Sequence, residues 1–437
     1  MLSRRTAAVY RRSMRARPRL ARAAIGSAAI SLGLAWLTAP SAVAQATCSF
    51  DLVTGTVEVT LVGSAAATIS RQGDAIAVDG TPCGAATVAN TDTVDVAGSG
   101  VGQEDDLTID LSGGAFAPGK EGDEGDGGDP EIEFTIDLPG GGVVRVVGTA
   151  GADALTLGSA GANLNAGEPV GDADVTLSGP ASWELRGAQG PDELRLSGGQ
   201  GTGGPASGAA AFGGTGQDLL LAGAGGGTLD GGGGTDTASF ARASAVRADL
   251  SEGRAKQAGL PADDLANVEN LVGSPGSDML IGDGADNRLE GGGGRDRLDG
   301  RKGDDVLKGG RGRDTLDMRA ASSSATVNLA KGRAEGLGED TLVGIEDVIG
   351  TDRGDLLIGS DGRNELLGRG GRDEIRGGAG RDLLSGGLGG DDLAGGDDAD
   401  TLVGGKGRDQ LDGGDGRDTC TPGPDPDAWT SCEVVKL

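Results

Sequence analysis

The chain has 437 residues, 88 of them Gly, no His, and a formal net charge of −29 from 67 acidic and 38 basic side chains. Without His there is no Ser-His-Asp triad, no Cys-His pair and no HExxH zinc site, and no G-x-S-x-G sequence occurs. Gly-X-Y periodicity is absent and Pro numbers 15, which excludes collagen, while composition alone would allow disorder.

Residues 1–44 read as a secretory signal peptide. Met1 to Arg22 holds eight Arg and no acid, an apolar run extends from about Ala23 to Thr38, and Ala42-Val43-Ala44 is a small-residue cleavage site, with Ala46 a second cleavage position. A membrane anchor is the rival reading, but the apolar run is short and interrupted for a span. Ser3-Arg4-Arg5-Thr6 resembles a twin-Arg export signal, although Ala7 and Ala8 stand where bulky residues are usual, so the Sec and Tat routes both stay open. Loss of this segment takes the net charge from −29 to −37. Such a chain is expected to repel nucleic acid and to attract cations. The four Cys form two local pairs at opposite ends, and sequence proximity predicts disulfides Cys48–Cys83 and Cys420–Cys432, the alternative being a metal site without C-x-x-C spacing.

Residues 45–210 are an irregular β-rich region. Strands are expected at Thr56–Val62, Thr93–Val96, Leu107–Leu111, Ile132–Leu138 and Val143–Val147, from alternation and β-branched content. The acidic, Gly-rich stretch 117–130 reads as a mobile loop. Units starting at Gly148 and Gly187 look like decayed nonapeptides with Asp153 and Asp192 at position six, so this half is either an irregular continuation of a solenoid or a separate β-sandwich.

Residues 211–421 are organised by a nine-residue period. Cutting from Gly273 gives five units to Asp317, and cutting from Gly350 gives eight more without a slip to Thr421; a shorter block starts at Gly213. Position six is Asp or Asn throughout the two long blocks, and position eight is Leu or Ile in nearly every unit. The pattern G-G-x-G-x-D-x-U-x resembles the RTX, or haemolysin-type, calcium-binding repeat. Two inserts, 240–272 and 318–349, break the register; their shared sequences lie 77 to 78 residues apart, so the module is duplicated, each copy reading as a short hairpin plus a longer rung. Residues 422–437 form a disulfide-closed tail.

The unit can be read physically. Its Gly-rich half supplies residues able to adopt positive φ, and its x-U-x half is a short strand with the middle side chain inward. The resemblance implies an all-β fold, a right-handed parallel β-roll or β-solenoid in which two units make one coil and units i and i+2 stack. Leu357, Ile375, Leu393 and Leu411 would then face Leu366, Leu384, Leu402 and Cys420. The same stacking puts Asp355, Asp373, Asp391 and Asp409 in one column and Asn364, Asp382, Asp400 and Asp418 in another. Bare carboxylates about 5 Å apart repel by roughly 3 kcal/mol per neighbour at an effective dielectric near 20. One buried Leu returns about 2–3 kcal/mol against on the order of 9–18 kcal/mol of backbone entropy for nine residues. A dication is therefore expected, and Ca²⁺, which takes six to eight oxygens from carboxylates and carbonyls, suits the turns better than Mg²⁺.

The candidate side-chain ligands are Asp218, Asp236, Asp278, Asn287, Asp296, Asp305, Asp314, Asp355, Asn364, Asp373, Asp382, Asp391, Asp400, Asp409 and Asp418. The resemblance adds turn carbonyls, for which Gly291, Gly294, Gly309, Gly312, Gly377, Gly380, Gly386, Gly389, Gly404 and Gly407 are candidates. Ala285, Arg353 and Asp398 replace Gly at position four, and with Asn287 and Asn364 they mark turns expected to be weaker or missing sites. Stacked pairs number about six in the eight-unit block and about three in the five-unit block, which sets the expected number of ions. Arg at position five (295, 313, 363, 372, 381, 408 and 417) reads as charge balance beside the Asp columns, against an alternative role in binding an acidic polymer.

These features together imply a secreted calcium-binding protein that folds on Ca²⁺ outside the cell, structural or adhesive in role, with cell-surface or polysaccharide contacts and no catalytic residues. The alternatives are a calcium-dependent polysaccharide lyase or epimerase and, less in keeping with the absence of a long apolar segment, a pore-forming toxin.

Overall fold

The computed structural model describes residues 45–116, 132–164, 174–179, 181–198, 202, 204 and 206–436. The segment read as a signal peptide and the acidic stretch 117–130 lie outside the described residues. All described residues belong to one compact unit. Apart from the 3-10 turn Leu329–Lys331, its regular elements are strands, and among the described residues no helix is long and apolar enough to cross a membrane.

The strands form two long sheets rich in parallel pairs. Successive repeat strands alternate between the sheets. In one, Leu356–Ile358, Glu374–Gly378, Asp392–Asp397 and Gln410–Asp415 stack in parallel, with Leu357, Ile375, Leu393 and Leu411 in register. In the other, Glu365–Gly370, Leu383–Leu388, Thr401–Lys406 and Thr419–Thr421 stack with Leu366, Leu384, Leu402 and Cys420 in register. Both ladders are buried and lie in one core. Within the x-U-x part of each repeat strand, period-two alternation leaves only the middle side chain inside, which is why one Leu or Ile recurs every nine residues.

The same two sheets run through the N-terminal half. Thr56–Val62, Thr93–Ala97 and Glu133–Asp137 are parallel neighbours in one sheet. Ala66–Gln72, Asp106–Asp110 and Val143–Val147 are parallel neighbours in the other. The ladder then passes through Ser182–Gln189 into Ala210–Gly216 and Thr228–Gly234, so the described residues of 45–210 form no sheet of their own. Rungs here are wider. Val57, Val59 and Leu61 are all buried on one strand, and Leu107 with Ile109, Phe134 with Ile136, and Val144 with Val146 are buried pairs. Phe116 packs edge-on against Phe134 at 5.2 Å between ring centroids.

Each insert is a three-stranded antiparallel meander whose outer strands are rungs. Val246–Asp249, Arg254–Gln257 and Ala262–Ala266 form the first; Thr326–Asn328, Arg333–Glu335 and Glu339–Val343 form the second. Six rung strands, from Asn270–Val272 to Thr315–Asp317, separate the two meanders, an even number in a chain that alternates sheets, so the copies fall on opposite sheets. Both expected disulfides are present, Cys48–Cys83 tying the N-terminal edge and Cys420–Cys432 the C-terminal end.

Candidate calcium-binding turns

Every position-six Asp of the long blocks is buried, at most 4% exposed. Tight turns leave this side chain facing the backbone of its neighbours, and the first oxygen has a fixed task. Oδ1 of Asp373 accepts the backbone N–H of Asp355 at 2.8 Å, Oδ1 of Asp391 that of Asp373 at 2.9 Å, and Oδ1 of Asp409 that of Asp391 at 2.9 Å. The second column is built alike, with Asn364 N–H on Asp382, Asp382 on Asp400 and Asp400 on Asp418. Asp278, Asp296 and Asp314, and then Asn287 with Asp305, repeat the scheme in the five-unit block. Asp192, Asp218 and Asp236 extend it upstream.

The second oxygen divides the turns into two kinds. In Asp296, Asp305, Asp314, Asp373, Asp382, Asp391, Asp400, Asp409 and Asp418, Oδ2 is buried with no hydrogen-bond partner, and Asp218 and Asp236 share this state. A buried carboxylate oxygen left unpaired is costly. The surroundings worsen it. A Cβ placed on Gly291 would sit 2.6 Å from the Gly309 carbonyl oxygen and closer still to Asp296 Oδ2, so both oxygens converge on one small volume that only Gly leaves open. The same convergence recurs at Gly377, between Asp382 Oδ2 and the Gly395 carbonyl, and at Gly404, where Asp409 Oδ2 meets the Pro422 carbonyl. The carbonyls of Gly294 and Gly389 likewise face the position-four glycines of the next rung, Gly312 and Gly407. Gly309, Gly380 and Gly386 occupy the matching turn positions, Gly386 against Asp391 Oδ2. In these open turns position two has positive φ, 104° at Gly292 and 111° at Gly378, and even Arg301 (72°) and Arg369 (80°) adopt it.

In the other kind the carboxylate is closed by its own turn. Thr351 donates its N–H at 2.7 Å to Asp355 Oδ2 and its hydroxyl to Oδ1, while Ala325 N–H from the meander also reaches Oδ1 at 2.8 Å. Ser274 treats Asp278 in the same way, helped by Val246 N–H. At Asn287 and Asn364 the amide oxygen accepts the position-two N–H of Asp283 and Ser360, and the amide nitrogen donates to the Glu269 and Glu346 carbonyls. These four turns are the first of each column in each block. Neither position two nor position four takes positive φ in any of them, and Ala285 and Arg353 stand at position four in two. Asp398 behaves differently from the expectation of a weakened turn. It takes φ of 75° like the glycines it replaces, and Asp400 beside it is open.

Burial raises the carboxyl pKa of several Asp in the columns, and carboxylate neighbours add to it. Asp296, Asp305, Asp373 and Asp400 are pushed up to about 7, chiefly by desolvation, in part offset by the backbone N–H each accepts. Asp382 and Asp391 move up for the same reason, tempered by nearby Arg313 and Arg363 in the first case and Arg372 in the second.

Sequence reading missed the ends of the columns. Glu269, Glu346 and Glu433 replace the next Asp, each accepting a backbone N–H, from Asp236, Asp314 and Asp418. Asp340 takes the Asp305 N–H. Asp427 takes that of Asp409 and carries an unpaired Oδ2, so the nonapeptide frame runs one unit past Thr421, with Trp429 stacked on Leu411. Counting nine back from Gly273 and Gly350, or nine on from Pro422, places Glu269, Glu346 and Asp427 at position six and would have found them.

Among the described residues no three His, Cys, Asp or Glu side chains cluster in a way that would hold a metal by themselves. Any cation here needs backbone carbonyls beside single carboxylates, a donor set suited to a hard ion with many oxygen ligands. The orphaned Oδ2 atoms and converging carbonyls fit such an ion.

The RTX calcium-binding nonapeptide repeat matches the chain in four copies, at residues 267–298, 281–316, 349–384 and 385–420. These segments are RTX calcium-binding repeats, and the fold that carries them is an all-β roll. No curated protein matches the chain.

Proposed function

We propose that this chain is an exported calcium-binding β-roll protein whose repeat half folds when Ca²⁺ fills the open turns, and that its role outside the cell is structural or adhesive rather than catalytic. The observation that carries the reading is the row of buried, unpartnered carboxylate oxygens facing backbone carbonyls in successive turns. Ca²⁺ supplies the positive charge that lets these oxygens share one volume. The position-six Asp and the turn carbonyls would hold it, while each Asp keeps its other oxygen on the neighbouring N–H. Binding free energy is then folding free energy. Three open turns in the block 273–317 and six in 350–421 set the ion number.

Export is supported by the basic, apolar and A-x-A segments of residues 1–44 and by two disulfides, which belong to oxidising compartments. The net charge of −29 disfavours nucleic acid as a partner and favours cations. Far-UV circular dichroism of the purified chain, titrated with Ca²⁺ and then Mg²⁺, tests the reading. The expected result is a gain of β signal at roughly 0.1–1 mM Ca²⁺, reversed by chelator and not given by Mg²⁺. A β spectrum indifferent to both ions would overturn it.

A further inference from the structure

Resting on the calcium reading above, we propose that ions enter only the open turns, and that the first turn of each column in each block is closed by the protein itself and takes no ion. The closed turns are Asp278 and Asn287 in the first long block and Asp355 and Asn364 in the second. The two kinds of turn share the nonapeptide frame; Ala285, Asn287, Arg353 and Asn364 mark three of the closed turns as irregular in sequence, whereas the Asp278 turn keeps both Gly276 and Asp278 and looks like an open one.

Hydrogen bonding separates them. Asp355 accepts three donors, the Thr351 N–H and hydroxyl and the Ala325 N–H, and Asp278 accepts the matching three. An N–H aimed at the carboxylate presents its positive end where a cation would have to sit, and a carboxylate so satisfied has little to gain from a metal. Asn287 and Asn364 go further. Their amide nitrogens donate at 2.8 and 2.6 Å to the carbonyls of Glu269 and Glu346, which turns a donor, not an oxygen, toward the neighbouring rung. The open turns show the opposite state, an unpaired oxygen and left-handed backbone at positions two and four. Residue type at position two does not decide it by charge or size, since Arg301 and Arg369 are open. Ser, Thr or Asp there, with negative φ, closes the turn.

The placement has a reason. A meander precedes each block, and the rungs before Asn287 and Asn364 carry Glu269 and Glu346 at position six, each engaged on the N–H of an earlier Asp, so the first turn of a column has no open turn before it with which to share an ion. Protein donors end the column there, and ion-bound turns extend from that fixed start.

Crystals of the full chain grown in CaCl₂, with anomalous scattering from calcium, test this on the unaltered protein. Ions are expected at Asp296, Asp373 and Asp391, with none within the coordination distance of about 2.3–2.6 Å from Asp278, Asn287, Asp355 or Asn364. An ion on any of those four overturns the proposal and leaves the calcium reading standing. Equilibrium dialysis gives a second readout. Asp355→Asn is expected to keep the parent's ion count and Asp373→Asn to lose at least one ion; equal losses would count against the closed turn. No bound Ca²⁺ in the parent chain would instead overturn the calcium reading itself.

Discussion

Replacing Asp391 separates its two oxygens. In the parent, Oδ1 holds the Asp373 N–H at 2.9 Å, and Oδ2 is unpaired in a site 1% exposed. Asp391→Asn can keep the first contact while removing the charge; Asp391→Ala removes both. With Ca²⁺ at 100 times its dissociation constant, losing one bound ion is expected to cost about 2.7 kcal/mol. The Ala variant also strands a buried N–H, which adds about 1–3 kcal/mol. Without Ca²⁺ the order reverses for Asn. Asp391 is then a buried carboxylate, raised in pKa first by desolvation and also by Asp409, so removing its charge stabilises whatever roll persists. The assay is urea unfolding of parent and both variants, followed by far-UV circular dichroism, in saturating Ca²⁺ and in chelator, both at about pH 8, where the column carboxylates are charged. The reasoning is refuted if Asp391→Asn matches the parent in saturating Ca²⁺, or destabilises it equally with and without the ion.

Further outcomes follow from the same geometry. The folded pKa values of about 7 at Asp296, Asp305, Asp373 and Asp400 lie above the unfolded value of 3.8, so their contribution to the ion-free roll is fully present below about pH 4 and is lost as pH rises through 7. Ion-free chain should therefore show more β signal at pH 5 than at pH 8, and Ca²⁺ binding near pH 6 should release protons, readable by calorimetry in buffers of different ionisation enthalpy; no proton release would contradict the burial argument. Leu384→Ala, a fully buried position between Leu366 and Leu402, is expected to cost about 2–5 kcal/mol in saturating Ca²⁺ and to raise the Ca²⁺ midpoint. In chelator, hydrogen exchange should stay slow in Thr56–Val62, Thr93–Ala97 and Asp106–Asp110 while the strands from Met279 to Thr421 exchange fast; uniform exchange would refute that division.

Much of the fold was legible because nine residues per unit fix everything a rung needs. Leu357 and Ile375 could be paired on paper because the RTX resemblance implies two nine-residue units per coil, so that residues i and i+18 stack, and the Asp columns came with it. The closed turns were only half visible. Ala285, Arg353 and the two Asn residues flagged irregular turns, but the open and closed kinds differ in the φ of position two and in whether Ser274 or Thr351 turns its N–H toward the carboxylate of its own turn. Asp398 shows the converse, a residue that looks wrong in sequence yet adopts the backbone of its glycine neighbours. The irregular half hid its continuity because its turns, such as that from Leu111 to Phe116, vary in length. A solenoid needs a constant rung, not a constant turn. Alternation in 56–62 and 133–137 gave the strands but not their stacking partners.

The two halves answer one physical demand in different ways. Each rung must offset the entropy of ordering its residues and the desolvation of its turns. The N-terminal rungs do so with two or three buried side chains per strand, such as Val57, Val59 and Leu61, where each apolar side chain contributes about 1.5–3 kcal/mol. The repeat rungs bury one Leu or Ile and add an unpaired carboxylate, so they begin in deficit by both measures. Calcium then acts where hydrophobic area is missing. On the proposed reading, the number of apolar side chains a strand buries, one against two or three, decides whether a rung depends on the ion. On the proposed calcium reading, the wide half with its disulfide is expected to stand as a template on whose edge the ion-dependent rungs stack.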